Sequence, residues 1–539
     1  MEFSTLNGYK VKDKKAIRYY DTVADMKSDS TLKNGMYVKT KGYYEDNDGG
    51  HGEYIIVNDN ELIEDNGSVH DLDNGLKAKL IIDKQICLKQ FGAKNDEDVS
   101  IILQTAIDLC KEKYDLIVDD FYTLSDSINI DKPIVIKGLT SFYSNGGMCG
   151  FECTNENDIT YFNFNEGSAN CLIEHLRFHN DKSGTCIKFS SRDESLTNYR
   201  VWKNQFNKCR IENFNKAVIF YAIGDVTDYD YSSEMLFIDC KFYNNDICCE
   251  YDNTQSYNTN FIATDFESDT EHTSIGFLLS SYGGININGG SIILRDSLIK
   301  LALNDNLTPN TSYSGIINIS NCRLETYDET VFNYNLTDRY AIAQLHTLNI
   351  NNTNIYTHQE GTLFDCNVRG LFANCNISFT GAYNMNIYGR NQQGGSEYSK
   401  ILINTPQFTK ILVPFISGAY TPWVVVNNCV KLSCVSQTNN NNILELDGKI
   451  LFGYGKGFKP GDITINVPWN IRKFVINVNG AFMGNSGSIT ITDGDSFTNT
   501  FNYAGNVNNS HDEIYLPYNA DGKSYTISST NIWGSCYFE

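Results

Sequence analysis

The sequence predicts an all-β chain whose main body is a parallel β-helix, preceded by a small domain and followed by a β-sandwich. Its 539 residues include 34 Tyr, 30 Phe and 41 Gly but only 8 Pro, and short runs of Ile, Val, Thr, Phe and Tyr lie between Asn, Asp and Gly clusters. Strand-like motifs recur from about residue 160 to 390, whereas helical periodicity is scarce. A chain of this length accommodates several domains or an elongated repeat.

The charge balance limits the partners that we expect. With 43 Lys and Arg against 65 Asp and Glu, the net charge is −22, which repels nucleic acid and anionic membranes. No apolar run is long enough to span a bilayer, and the N-terminus lacks the apolar segment of a secretory signal, so we expect cytoplasmic synthesis. A neutral glycan or a protein partner stays open.

The cysteines and histidines argue against a metal or another cofactor. The 16 cysteines, from Cys87 to Cys536, include no C-x-x-C pair and are expected to be reduced, buried thiols. The 8 histidines include no H-E-x-x-H motif.

Residues 1–85 are predicted to form a separate domain with strands in "GMYVKTKGYY" and "YIIVND". Asp46 and Asp48 in "DNDGG" have the alternating spacing of calcium ligands. Because the later ligands of a calcium loop are missing, we expect a tight turn there.

A capping helix is predicted at about 97–111, at the start of a β-helix domain that spans residues 86–395. The apolar side chains fall on one helical face: Val99, Ile102, Leu103, Ala106, Ile107 and Cys110. Asp96, Glu97 and Asp98 precede them, where carboxylates accept free helical N–H groups. We therefore expect these acids to stabilise the helix rather than to form a catalytic or metal site.

The repeated motifs of the β-helix include "FNKCRIEN", "FIDCKFYN", "FIATDFES" and "ISNCRLET". A step of about 22 to 33 residues is typical of three short strands per coil. The positions predicted to be equivalent and inward-facing are Leu176, Cys209, Cys240, Thr264, Gly290, Cys322, Thr353 and Cys375. Residues 396–539 alternate strongly between apolar and polar residues, which predicts a β-sandwich.

Two segments resemble a known family. The stretch "LKQFGAKNDED", with the helix and first coil that follow it, is similar to the start of the pectate-lyase-like right-handed parallel β-helix family. "KGYYEDNDGGHGEYIIV" resembles the adaptor segment of bacteriophage tailspikes and tail appendages. The resemblance covers about residues 20–390, although Phe121 replaces a frequent Gly and "KNDED" replaces Gly-Asp-Gly.

This resemblance implies a virion protein of the phage tail, assembled as a homotrimer. It implies that residues 1–85 attach to other tail or baseplate proteins. It also implies that residues 396–539 assist trimerisation or bind glycan. The implied ligand is a host surface polysaccharide.

Candidate catalytic residues follow from the chemistry of glycoside hydrolysis, which uses two carboxylates. Asp265 and Glu267 are expected on the outer face of one strand, on either side of inward Phe266. Glu212 and Tyr243 are expected beside Glu267 on the two preceding coils, which places Glu212 about 9.6 Å from Glu267. Asp239, just before a ladder cysteine, is a further candidate, although outward acids are also ordinary solvated surface.

Aromatic side chains are candidates for sugar stacking. They are Tyr243, Trp202, and Tyr229 and Tyr231 in the insertion at residues 221–235. For Trp202, Tyr229 and Tyr231, simple packing of the loop is an equal alternative. Arg295 or Arg323 could neutralise a uronate in a lyase, although each is also an ordinary ion-pair partner, and Asp296 and Glu325 have weaker claims as catalytic acids.

The sequence thus predicts a tailspike that recognises a host polysaccharide and hydrolyses it as a glycoside hydrolase, with lyase chemistry as the less favoured alternative. A non-enzymatic receptor-binding adhesin and a structural tail appendage have the same predicted fold. The sequence contains no G-x-S-x-G motif, the signature that would indicate an esterase.

Overall fold

The structure is a computed structural model. The residues that it describes are 5–6, 9–10, 17–95, 97–139, 148–155, 157–181, 183–189, 200–221, 231–252, 256–280, 283–302, 315–327, 330–334, 346–359, 361–366, 371–381, 385–389, 400–404, 411–412, 423–427, 432–436, 442–446, 450–452, 463–467, 473–481, 485–507, 510–517, 523–530 and 532–538. They fall into two compact units, Met1–Glu267 and Ser268–Glu539.

The first unit contains a small sheet near its N-terminus. A separate pair of two-residue strands, Thr5–Leu6 with Tyr9–Lys10, comes before this sheet in the chain. The sheet has five strands, in the spatial order Arg18–Tyr20, Tyr37–Thr40, Glu53–Val57, Lys77–Leu80 and Val69–Asp71. The helix Val23–Ser28 is capped by reciprocal hydrogen bonds between Thr22 and Asp25.

The predicted tight turn in "DNDGG" is confirmed. The Asp48 carboxylate accepts hydrogen bonds from the backbone N–H groups of Tyr43, Tyr44, Glu45 and Gly50. Burial acts to raise the pKa of Asp48, but these donors outweigh it and the pKa lies below its usual value. The carboxylate therefore shapes the turn.

The entrance to the coils also follows the sequence prediction. The strand Gln85–Cys87 leads into the 3₁₀ helix Leu88–Phe91, and Gly92 has a φ of 77°, which suits glycine. The capping helix is Ser100–Cys110, slightly shorter than predicted, and its apolar face packs on the first coil strands.

Asp98 ties this helix to the first coil. Its carboxylate accepts hydrogen bonds from the backbone N–H of Ser100 at 3.1 Å and from the hydroxyl of Ser125 at 2.7 Å. Glu97 pairs with Lys94 at 2.9 Å, and Asp96 lies outside the described residues. The structural role predicted for the acidic cluster is confirmed at Asp98.

Three sides of parallel strands build the coils of the first unit, which confirms a parallel β-helix. Side A consists of Gln85–Cys87, Asp115–Val118, Val135–Gly138, Leu172–Glu174, Gln205–Asn207, Leu236–Ile238 and Ser256–Ile262. Side B consists of Phe121–Leu124, Gly150–Cys153, Arg177–Asn180, Arg210–Glu212, Lys241–Tyr243 and Asp265–Glu267. Side C consists of Ile128–Ile130, Thr160–Phe164, Thr185–Phe189, Lys216–Tyr221 and Ile247–Asp252.

Inward side chains of successive coils stack along the interior of this unit. The rings of Phe206 and Phe237 lie 5.0 Å apart, and Phe237 and Phe261 repeat that spacing. Cys209, Cys240 and Thr264 are buried in a neighbouring row, as predicted from the repeats. The alternation of the sequence therefore sets both the core and the outer face of each strand.

A left-handed residue turns the chain from side A to side B in four successive coils. His175, Lys208, Asp239 and Ala263 have φ values of 57°, 53°, 51° and 49°. The N–H of each of the first three donates to a carbonyl of the next coil. This conformation, unusual for non-glycine residues, is thus stabilised by the stacking of the coils.

The second unit contains further coils of the same kind. Its side A strands are Gly283–Asn288, Ile316–Ser320, the first part of His346–Thr357, the first part of Leu371–Gly381, Lys400–Asn404 and Trp423–Asn427. Its side B strands are Ser291–Ile293, Arg323–Thr326 and the second parts of the same two long strands. Its side C strands are Ile275–Leu279, Ile299–Leu301, Thr330–Tyr334, Gly361–Cys366, Met385–Gly389 and Ile411–Leu412.

Two sequence predictions need correction in this unit. Parallel pairing continues to Trp423–Asn427, past the boundary predicted at residue 395. The equivalence of Thr353 and Cys375 is wrong, because Thr353 pairs with Ile377, and Cys375 pairs with Ile350. A register shift between Ile350 and Thr353 causes the difference.

The remaining strands of the second unit are antiparallel. Leu432–Ser436 pairs with Asn442–Leu446. One four-stranded sheet has the spatial order Ile450–Phe452, Ile532–Phe538, Lys473–Ala481 and Ser510–Tyr515. A second four-stranded sheet has the order Ile463–Val467, Lys523–Thr530, Gly487–Thr492 and Thr498–Tyr503. Side chains of both sheets, among them Ile476, Ile489 and Tyr525, share one buried cluster. Within the described part of the chain, no helix has the length and apolarity to span a bilayer.

Candidate functional site

The candidate site lies on the outer face of side B in the first unit, where two columns of polar side chains run across the coils. Parallel pairing aligns the first column as Arg177, Arg210, Lys241 and Asp265. It aligns the second as Glu152, His179, Glu212, Tyr243 and Glu267. The predicted register of Glu212, Tyr243 and Glu267 is confirmed. We call these the first and second columns.

Asp265 and Glu267 end the two columns on one strand. Phe266 between them is fully buried, so the two carboxylates belong to the outer face. Both residues are partly exposed, and their Cα atoms are about 6.5 to 7 Å apart, as for any i, i+2 pair on a strand. Lys241 of the preceding coil forms an ion pair with Glu267.

Glu212 does not present the exposed carboxylate that was expected. Its side chain is only 2% exposed and accepts hydrogen bonds from Arg177 on the preceding coil and from Arg210 on its own strand. A buried carboxylate requires such partners, because the energetic cost of removing it from water is large. The contacts assign Glu212 to the scaffold of the site.

Tyr243 lies between cations. The guanidinium carbon of Arg210 is 5.4 Å from the centroid of the Tyr243 ring, and the ammonium of Lys241 is 5.2 Å from it. Such cation–π contacts hold the ring at the partly exposed surface of the second column.

His179 and Glu152 are site residues that sequence reasoning missed. The Nδ1 atom of His179 lies 2.7 Å from the Glu152 carboxylate, and its Nε2 lies 2.9 Å from the Asn213 side-chain amide. The hydrogen bond to Glu152 outweighs the opposite effect of burial and raises the pKa of His179. Arg177-Phe178-His179 has the same polar–apolar–polar alternation as Arg210-Ile211-Glu212. That signal in the sequence could have placed His179 in the second column.

Asp239, Trp202 and Tyr231 do not belong to the two columns. Asp239 is the left-handed residue of the A-to-B corner, and its N–H donates to Ile262. Trp202 ends the strand Arg200–Trp202, with the Lys203 ammonium 4.5 Å from its ring centroid. Tyr231 begins the strand Tyr231–Ser233, which pairs with that strand, and Tyr229 lies outside the described residues.

The described residues contain no group of three His, Cys, Asp or Glu side chains that could hold a metal ion. The two columns on side B offer carboxylates, cations, an imidazole and a phenol.

Known structures with a similar backbone were found by comparison. The enzymatically active domain of tailspike protein 4 from bacteriophage CBA120 is 12% identical, with 96% of this chain and 76% of that chain covered and a TM-score of 0.41. The gp42 tailspike of Acinetobacter phage vb_AbaP_AS12 is 10% identical, with coverage of 97% and 94% and a TM-score of 0.43.

The tailspike gp49 of Acinetobacter baumannii bacteriophage Fri1, a capsular polysaccharide depolymerase, is 11% identical. The match covers 97% of this chain and 100% of that chain, with a TM-score of 0.34. No protein-family model and no curated protein matches the sequence.

Proposed function

We propose that this chain is a bacteriophage tailspike that binds a host surface polysaccharide and hydrolyses it with Asp265 and Glu267. The observation that carries the proposal is the placement of these two carboxylates on the outer face of one side B strand, on either side of buried Phe266. A β-helix offers flat outer columns along which an extended polymer can lie.

The two carboxylates match in number the two groups that the reaction requires. Glycoside hydrolysis needs one carboxylic acid to protonate the leaving oxygen and one carboxylate to act on the sugar carbon, directly or through a water molecule. The Lys241 ammonium forms an ion pair with Glu267. We propose that Asp265 and Glu267 divide these two roles between them.

The rest of the second column supplies binding groups. Tyr243, beside Glu267, offers the edge and hydroxyl of a ring for contact with a sugar. His179 and Glu152 continue the column toward the earlier coils and can exchange hydrogen bonds with sugar hydroxyls. A polysaccharide of several residues would thus lie across the coils.

The same proposal includes the assembly. The chain forms a homotrimer, residues 1–85 attach it to other tail or baseplate proteins, and residues 396–539 assist trimerisation or bind glycan. These features rest on the resemblance of the "KGYYEDNDGGHGEYIIV" segment to tailspike adaptors and on the separate five-stranded sheet of this region.

A binding-only adhesin is the second candidate. It is favoured by the cations of the first column, because Lys241 pairs with Glu267 and two arginines hold Glu212. A surface with paired charges can bind a glycan without any catalytic proton transfer.

Incubation of the full-length protein with the capsular or wall polysaccharide of its host distinguishes these functions. New reducing ends without the ultraviolet absorbance of an unsaturated uronate indicate hydrolysis, and both signals together indicate a lyase. Binding without either signal indicates an adhesin and contradicts the enzymatic proposal.

Three variants test the assigned residues. Asp265→Asn and Glu267→Gln should each lower the rate of cleavage by at least about 100-fold, the lower range for a general acid or base, and should leave glycan binding in place. Glu250→Gln is the matched control, because Glu250 also pairs with a lysine, Lys216, but lies on side C. Full activity of both side B variants would refute the assignment.

A further inference from the structure

A second cluster of charged and aromatic side chains lies on side B of the second unit. Its six members are Arg295, Arg323, Glu325, Tyr327, Tyr356 and His358. Parallel pairing aligns Ile293, Glu325 and Tyr356 on successive coils. Arg295, Tyr327 and His358 each follow two residues later and form a stack.

Three planar groups, one from each coil, form this stack. The guanidinium carbon of Arg295 is 3.3 Å from the centroid of the Tyr327 ring. The His358 ring lies parallel to Tyr327, at 4.3 Å and 4°. Tyr356 contacts His358 edge-on at 4.7 Å. These cation–π and ring contacts hold the groups in fixed positions, which reduces the entropy cost of binding a ligand.

A nearly buried carboxylate anchors the cluster. Glu325 is 8% exposed, forms an ion pair with Arg323, and lies 2.8 Å from the Nε2 atom of His358. Because its oxygens are engaged with Arg323 and His358, this acid positions its neighbours and is not itself exposed to a ligand.

The remaining charge of the cluster is positive. The six members include two guanidinium groups and one carboxylate, and the side chain of Arg323 is 64% exposed despite its ion pair. The Nε atom of Arg295 is buried and has no hydrogen-bond partner among the described residues. Asp296, next in sequence, is engaged with Lys300 and Ser297 at 2.9 and 2.8 Å. The six members of the cluster therefore carry a net positive charge in a chain of net charge −22.

We propose that this cluster binds the carboxylate of an acidic sugar residue. Arg323 presents a planar fork of N–H donors that matches a carboxylate, and Tyr327 and Tyr356 offer ring edges for the sugar. A neutral sugar offers no charge to the guanidinium groups and binds more weakly. The cluster is a separate site from Asp265 and Glu267, and it adds a preference for uronate-like or sialate-like residues.

Binding of monosaccharides to the full-length protein tests this inference, with saturation-transfer NMR as the readout. The acidic probes are glucuronate, galacturonate and N-acetylneuraminate, and the neutral probes are glucose and galactose. We expect at least one acidic probe to bind, the neutral probes to give much weaker signals, and added salt to weaken binding.

Variants locate the binding. Arg323→Gln should weaken it by at least about tenfold, the effect expected for one charge-assisted hydrogen bond, and Arg323→Lys should weaken it less. Lys216→Gln is the matched control, because it removes one cation and one ion pair, with Glu250, from side C of the first unit. Thermal unfolding of each variant checks the fold.

Three results would overturn the inference: no acidic probe binds, neutral probes bind equally well, or Arg323→Gln binds like the wild type. The measurement reports binding of single sugars, so it does not depend on whether the chain cleaves a polysaccharide. The variants Asp265→Asn and Glu267→Gln should bind the acidic probe as the wild type does.

Discussion

Arg177 donates a hydrogen bond to the buried carboxylate of Glu212 on the next coil. Arg210 on the same strand as Glu212 completes the ion triad. Because the triad links two coils of side B, we expect it to stabilise the folded state of the protein.

Removal of both arginines should destabilise the fold strongly. In Arg177→Met with Arg210→Met, the Glu212 carboxylate stays buried without a partner, which costs about 3 kcal/mol. We expect a lower thermal unfolding midpoint at neutral pH, measured by circular dichroism.

A third substitution serves as the control. Adding Glu212→Leu removes the unpaired charge and should restore most of the lost stability. If the triple variant is no more stable than the double variant, the loss comes from packing and not from the charge.

The stability contributed by His179 should depend on pH. Glu152 raises the pKa of His179 in the folded protein. The stabilisation by His179 is therefore complete below the pKa of the unfolded chain, about 6.5, and is lost as the pH rises through the pKa of the folded protein. His179→Gln should therefore destabilise the protein more at pH ~5 than at pH ~9.

Unfolding midpoints of wild type and variant across this range measure the effect. Glu152→Gln should reduce the pH dependence in the same way, because it removes the same hydrogen bond. A difference between wild type and His179→Gln that is constant with pH would contradict the role assigned to Glu152.

Asp98 should stabilise the entrance of the β-helix. Asp98→Asn removes the charge that strengthens the hydrogen bonds from Ser100 and Ser125, and we expect a loss of about 1 kcal/mol at neutral pH with unchanged glycan binding. Glu97→Gln, whose exposed partner is Lys94, should have little effect.

Acid should abolish this difference. Burial acts to raise the pKa of Asp98, but the serine hydrogen bonds lower it more. The stabilisation by Asp98 is thus present above the pKa of this side chain in the unfolded protein, about 3.9. It is lost as the pH falls through the lower pKa of the folded protein. Loss of glycan binding by a folded Asp98→Asn protein would instead indicate a functional site.

The interior thiols should resist alkylation in the native protein. Burial raises the pKa of Cys186, Cys240 and Cys249 well above the usual value, so little thiolate is available. Iodoacetamide treatment followed by peptide mass spectrometry should show modification of these residues only after denaturation. Rapid labelling in the native state would indicate opening of the coils.

Much of the fold could be predicted because the β-strand period of two fixes which side chains point inward. Phe266 follows this rule, and small residues at Cys209 and Cys240 reveal the register of neighbouring coils. The rule failed at Cys375 because the two long strands there pair with a register shift, which residue spacing does not show.

Less of the candidate site could be predicted. The alignment of Glu212, Tyr243 and Glu267 followed from the repeat, but the burial of Glu212 did not. That burial depends on arginine side chains of two coils and on their rotamers, which the alternation pattern leaves undetermined. Asp239 appeared chemically similar to the other acids, whereas its backbone conformation places it at a corner.

The corners between sides A and B leave room for chemical change. His175, Lys208, Asp239 and Ala263 share a left-handed backbone but differ in charge, size and polarity. The path of the chain there depends on backbone hydrogen bonds between coils, so substitutions other than β-branched residues should be tolerated. A row of exchangeable side chains therefore borders side B, and through it the surface beside the first and second columns could diversify without a change in the scaffold.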